Sequence, residues 1–274
     1  MLLGCLSLYA ADNDLITRQI TIQLEKAGTL PDRIGSSRKY TITNLKIIGE
    51  INGTDLRMIR EMAGSNSTGN STDGMLSVLD LSEAKIVEGG DCYYKDHYTS
   101  NDVIGSHAFS YCSGLTSLNL PAGITEIQND AFRNCSGLTS LTLPAGITKI
   151  GDRAFQGCSG LTSLNLPDGI TEIGGGTLAG CSGLTSLNLP DGITEIGSDA
   201  FSGCSGLTSL TLPDGITEIG DNAFRGCIGL TSLTLPDGIT EIDSYAFYDC
   251  SGLTSLNLPA GITEIGDRAF YGWG

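Results

Sequence analysis

From Leu115 onward the chain repeats one hydrophobic pattern. The stretch "LTSLNL" (Leu115–Leu120) places leucine at its first, fourth and sixth positions. Leu118 and Leu120 alternate with Ser117 and Asn119, the signature of a strand with one face inward and one outward. Pro121 is expected to end the strand and preset a turn, and the Gly123 that follows to supply a positive φ. In "ITEI" the two isoleucines stand three apart, which predicts a short bent extended segment rather than a clean strand. The last stretch, as in "GDNAFRGC", is too short for a stable helix, so it predicts a single helical or 3₁₀ turn that drives its Phe inward. Ser-Gly returns the chain to the next strand.

The pattern recurs every 23 residues. Cys112, Cys135, Cys158, Cys181, Cys204, Cys227 and Cys250 keep this step, and so do the prolines from Pro121 to Pro259. Phe holds one column from Phe109 to Phe270, with Leu178 in the one missing slot. A unit this small cannot recover its backbone entropy alone, so the units must stack into a solenoid and bury a continuous core. The spacing of "ITNLKI" (from Ile42) and "LSVLDL" (from Leu76) extends the pattern upstream. Nine strands are therefore predicted in the main sheet, starting near 42, 76, 115, 138, 161, 184, 207, 230 and 253. Between the first two, "TDLRMIREMAG" reads as a helix with Thr54 as N-cap and Gly64 at its end. Residues 65–74 read as a loop, 82–101 as an insertion, and 12–41 as a cap over the first edge. The domain reading is a remnant of an export signal over 1–11, a cap with irregular repeats over 12–100, and regular repeats over 101–274.

The unit "LTSLTLPDGITEIGDNAFRGC" resembles the BspA-like leucine-rich repeat of bacterial surface proteins. In the unit that begins at Leu230, the residues carrying the likeness are Leu230, Leu233, Leu235, Pro236, Ile239, Ile242, Ala246, Phe247 and Cys250. "NGTDLRMIREMAG" and "LSVLDLSEAKIVEGG" look like the segment that precedes such repeats in proteins of gut Bacteroidetes. The resemblance implies a right-handed leucine-rich repeat solenoid, with a parallel β-sheet on its concave face and short strands and helical or 3₁₀ turns on its convex side. It also implies export, display at the cell surface and, in some members, adhesion to host matrix proteins or other bacteria. No fixed set of binding residues comes with it.

Composition narrows the partners. Lys and Arg total 15 against 31 Asp and Glu, a net charge of −16, which argues against nucleic acid and anionic lipid surfaces. The first hundred residues carry 10 basic and 13 acidic groups and the remainder 5 and 18, so the repeats are the acidic half. "MLLGCLSLYAA" is apolar but too short to span a bilayer. It reads as the tail of an export signal in one of two ways: a lipobox that would place a lipid on Cys5, or a cleavage site near Ala10 or Ala11.

Candidate chemistry is sparse. Parallel stacking points the seven column cysteines the same way, which suits neither disulfides nor a tetrahedral metal site and predicts buried free thiols. Glu126, Glu172, Glu195, Glu218, Glu241 and Glu264 form one acidic column, and Asp168, Asp191, Asp214 and Asp237 another; both read as a solvated face. There are two histidines, His97 and His107, the latter expected at the surface. No nucleophile elbow, zincin or Walker motif occurs, so the reading is nonenzymatic and calls for no cofactor and no metal.

Binding is then assigned to two places. The outward columns of the sheet include Ser140, Thr142, Ser163, Asn165, Ser186, Asn188, Ser209 and Thr211, a repetitive hydroxyl and amide surface suited to a periodic ligand. The stretch 89–98 offers Tyr93, Tyr94 and Tyr98 either as a recognition loop or as part of the cap. The expected partner is a host or bacterial surface protein or glycan, met by a monomer outside the cell. The competing reading is a structural spacer with no ligand of its own.

Overall fold

The structure, a computed structural model, describes residues 15–273. The expected export signal and Cys5 lie outside the described residues. The chain winds as stacked turns, and its main sheet is parallel throughout. β1 (Ile20–Gln23), β2 (Asn44–Ile51) and β3 (Val78–Ile86) pair in that order, and Ser117–Asn119, Ser140–Thr142, Ser163–Asn165 and Ser186–Asn188 follow. Ser209–Thr211 and Ser232–Thr234 continue the same face but pair only with each other. The hydrogen bond across that junction, Thr208 N–H to Thr185 O, is 3.5 Å, against 3.0–3.3 Å at the neighbouring junctions.

Two strand expectations are corrected. β1 is a sheet strand within the stretch read as a cap. Conversely, 253–258 forms no strand: Leu253 is buried, but Leu258 is 47% exposed, with no described turn beyond to cover it. The bent "ITEI" segments form a second row of two-residue strands. Val103–Ile104, Glu126–Ile127 and Lys149–Ile150 make one group, and five more from Glu172–Ile173 to Glu264–Ile265 make the other.

Opposite the main sheet each unit makes two tight turns instead of a helix. Bonds from i to i−3, such as Ala131 N–H to Gln128 O and Cys135 N–H to Phe132 O, close them. The third residue of each turn is left-handed, Asp130 (φ 56°) and Asn134 (φ 57°) for instance, and stops the turns from joining into a helix, whereas the glycines after the strand prolines, Gly123 among them, do not take the expected positive φ. The N–H groups left over donate to the next unit: Phe109 to Ala131 O and Phe132 to Ala154 O, both at 2.7 Å. This turn face is thus a hydrogen-bonded ladder in its own right.

The core is built of columns of like residues. Phe109, Phe132 and Phe155 stack at 5.4 Å with rings 2° apart, and Phe201, Phe224, Phe247 and Phe270 stack at 5.2–5.5 Å. Leu178 separates the two stacks, and Thr177 beside it takes the place of the usual Ala. The column cysteines are buried and free, and from Cys135 onward each adds a bond that a plain hydrophobe would lack. The Cys135 thiol donates to Phe109 O at 2.9 Å, and the thiols from Cys158 to Cys250 repeat this at 3.0–3.2 Å. Trp273 occupies the same column, and its indole N–H makes the same bond, to Phe247 O at 3.2 Å.

The cap is built differently. α1 (Leu30–Ile34) and α2 (Gly53–Met62) are joined by buried Asp55, which accepts from Leu30 N–H at 2.8 Å and from Asn52 N–H at 3.0 Å. Asn52, not Thr54, is the N-cap of α2. Its side chain accepts from Thr54 N–H while Asp55 reaches back to it, a reciprocal capping box that outcompetes a Thr cap. Gly64 (φ 100°) follows the C-cap Ala63 in the left-handed conformation, as the sequence predicts.

Candidate binding surfaces

The eight residues expected on the sheet face come together in two straight columns. Ser140, Ser163 and Ser186 sit in direct register, as do Asn165 and Asn188; past the junction, Ser209 and Thr211 face Ser232 and Thr234. All eight are exposed, because the leucines between them take the inward positions of each strand. The columns hold only hydroxyls and amides. Next to them a threonine column is committed to the fold: Thr139 Oγ1 donates to Thr116 O at 3.0 Å, and the same bond recurs at Thr162, Thr185, Thr208 and Thr231. The free groups are therefore the Ser and Asn/Thr columns, repeating at the strand spacing of about 4.8 Å.

The tyrosines of 89–98 divide. β4 (Gly89–Tyr94) and β5 (His97–Thr99) form a hairpin over α2. Tyr93 and Tyr94 are buried within it, which agrees with the reading as part of the cap and removes these two from a loop presenting all three rings; Tyr98 is 59% exposed. Tyr93 O–H donates to Ser106 O at 2.8 Å. Buried Arg60 donates to Ala108 O at 3.0 Å and to Ser110 O at 3.1 Å. Ser106, Ala108 and Ser110 correspond to Asn129, Ala131 and Arg133, whose carbonyls accept from the preceding unit. The first turn has no such predecessor. Tyr93 and Arg60 supply the three missing donors and close the turn-face ladder.

His107 is half-buried in this cap rather than at the surface. Its ring lies 4.8 Å from that of Tyr94 and 5.1 Å from that of His97, and Arg60 sits over the Tyr94 ring at 4.6 Å. Burial chiefly, joined by the charges of His97, Arg60 and Lys95, holds His107 below the usual imidazole value against the pull of Asp130. Its Nδ1 is 3.2 Å from Ser110 Oγ, but that hydroxyl is buried and donates to Asp130 O at 2.6 Å. Ser110 Oγ is left to accept from the His107 ring, and being buried it is no reachable nucleophile. A missed cue existed for Arg60: it stands among the buried Leu56, Ile59 and Met62 of α2. A cation in an apolar stripe needs a purpose.

Burial pushes the column thiols up, Cys112 to about 11 and Cys158, Cys204 and Cys250 to about 12, so they stay protonated. The glutamates pair in register, Glu172 with Glu195 and Glu218 with Glu241. Partial burial first, and then Asp243, Glu241 and Glu195, raise the Glu218 carboxyl. Among the described residues no group of three or more His, Cys, Asp or Glu has metal-binding geometry, and no helix is long and apolar enough to cross a membrane.

Comparison with known proteins agrees with this architecture. The family model for the BspA type leucine rich repeat region matches residues 97–208 and 176–273 in six copies. A leucine-rich repeat protein of T. pallidum is 34% identical with a TM-score of 0.55, over 57% of this chain and 76% of that one. Those of Bacteroides ovatus (21% identity, TM-score 0.56, 85% of this chain and 65% of that) and Eubacterium ventriosum (18%, 0.53, 93% and 90%) share the fold. No curated protein sequence matches the chain. The repeat columns, the parallel solenoid and the family match lead to one conclusion: this chain belongs to the BspA-type leucine-rich repeat family.

Proposed function

We propose that this chain is an exported cell-surface module that binds a repetitive protein or glycan ligand through its sheet face. One observation supports the reading above the others. Two exposed columns of uncommitted hydroxyls and amides run in register at strand spacing, while the neighbouring threonines are used internally. Such a surface offers the same weak contact many times, and affinity then grows by multivalency rather than by a pocket. The dominant acidic charge keeps the module away from nucleic acid and anionic membranes. The chemistry is binding without catalysis, and it uses no cofactor.

A spacer is the second reading, and it too has an observation behind it. The two columns contain no aromatic or Arg side chain, the residue types that dominate tight interfaces. A printed array of oligosaccharides and extracellular-matrix proteins separates the two. Binding that is lost in the Ser163→Glu/Ser186→Glu double variant, with unchanged melting, supports the sheet face. Binding that survives the double variant removes the sheet face from the assignment, and an array with no bound ligand favours the spacer.

A further inference from the structure

The cap hairpin meets the first turn of the turn-face ladder through a cluster of rings and cations. The Tyr94 ring is its hub. Around it stand His107 at 4.8 Å, His97 at 6.2 Å, the Arg60 guanidinium at 4.6 Å and the Lys95 ammonium at 5.3 Å. The two imidazoles lie 5.1 Å apart and come from opposite sides of the junction. His97 opens β5 of the hairpin, and His107 belongs to the first turn, where its N–H donates to Asn129 O at 3.1 Å. Both rings are half-buried.

The cluster is satisfied while both imidazoles are neutral. Neutral His107 donates its Nδ1 proton to Ser110 Oγ at 3.2 Å, the one role that hydroxyl leaves open. A second proton puts a cation beside His97 and around a ring whose π charge Arg60 and Lys95 already share. Little stands ready to offset it. From the following turn the Asp130 carboxylate faces His107, but it is paired with Arg133 at 3.2 Å. In the hairpin, Asp96 adjoins His97 in an exposed turn. The 65–74 loop, tied to the hairpin by Lys95 N–H donating to Ser67 O at 2.7 Å, carries one charged residue, the exposed Asp73. From α2 the group facing the cluster is another cation, Arg60.

The far end of the hairpin is fastened without an imidazole. Thr54 Oγ1 accepts from Asp91 N–H at 2.9 Å and donates to the Asp91 carboxylate at 3.3 Å. Gly89 (φ 106°) and Gly90 (φ 74°) lie at this end, where the chain can pivot.

We infer that His97 and His107 form an acid-sensitive latch: protonation drives the turn end of the hairpin off the first turn, pivoting about Gly89 and Gly90, while the repeats stay closed. Burial, which holds His107 below the usual imidazole value, agrees with this direction. What neutral His107 contributes is present above the ordinary value of 6.5 and is lost as pH falls through the folded one. The latch and the sheet-face reading do not depend on each other.

Amide exchange and the histidine ring signals of the whole chain, followed by NMR from about pH 7 to about pH 5, test the latch. With intrinsic rates divided out, the amides of residues 93–99 should exchange about fivefold faster at the lower pH, and those of the repeats should not change. His97→Gln removes the neighbouring charge and moves the His107 midpoint toward the ordinary imidazole value. His107→Asn keeps a side-chain N–H for Ser110 in a left-handed column position that already holds Asn222 (φ 56°), and it removes the acid response while neutral-pH melting is retained. If that variant does not fold, the midpoint shift in His97→Gln decides. A hairpin equally protected at both pH values, a His107 midpoint indifferent to His97, loosening spread evenly through the repeats, or an unchanged acid response in folded His107→Asn overturns the latch.

Discussion

The cap and the repeats solve the same problem by opposite means. In the repeats a residue's partner is its own copy one turn earlier: Phe224 stacks on Phe201, and Thr231 bonds to Thr208. In the cap no copy is available, so the partner is another residue type altogether. Arg60 and Tyr93 stand in for a backbone that does not exist. Self-pairing makes a core cheap to encode and easy to extend. It cannot make a beginning, because the first turn always lacks a predecessor.

Three measurements break or sharpen this contrast. Phe224→Ala has the largest expected effect. It removes a buried ring packed on two neighbours and costs about 3–5 kcal/mol in urea unfolding. Hydrogen exchange should show protection falling on both sides of the gap, since each turn leans on its neighbours. Arg60→Leu keeps the volume and removes the donors to two orphan carbonyls, at a cost of about 2–4 kcal/mol. Its exchange signature should be confined to the cap and the first turns. An effect that spreads evenly through the repeats contradicts the capping role.

The smallest effect is the pH dependence, and the two regions take opposite signs. Burial and then like charges raise the carboxyls of Glu218 and Asp243. Their contribution is fully present below the ordinary carboxylate value and is lost as pH rises through the raised folded one. In the cap, burial of Asp80 is outweighed by hydrogen bonds from Ser82 and the charge of Lys46, and its carboxyl is lowered. That contribution is present above the ordinary value and lost as pH falls through the folded one. His107, also lowered, acts in the same direction as Asp80. Acidification from about pH 7 to pH 4 should therefore loosen the cap relative to the repeats. Exchange rates compared region by region at the two pH values check the sign.

The same contrast explains what could be read from the residues alone. The spacing of Leu118, Phe132 and Cys135, carried through the units, was enough to place the core, because identical columns announce themselves. The inward turn of Tyr93 and Tyr94 was only one of two readings and the role of Arg60 was not legible, because each depends on a partner distant in sequence and unlike in type; the Asn52 cap was legible but missed, since its partners Thr54 and Asp55 lie only two and three residues on. β1 escaped because its four residues lack the leucine spacing of later strands. On the sheet face the columns of Ser140 and Ser163 were placed correctly as exposed and in register, whereas their ligand is a matter of chemistry that a uniform surface does not encode.

The 23-residue period of self-pairing contacts also makes length a separable trait. Excising one whole period between Leu184 and Leu253 rejoins threonine to threonine, thiol to carbonyl and ring to ring, and leaves the founding turn untouched. Recombination between such near-identical stretches can therefore shorten or lengthen the rod by whole steps without inventing a single new contact.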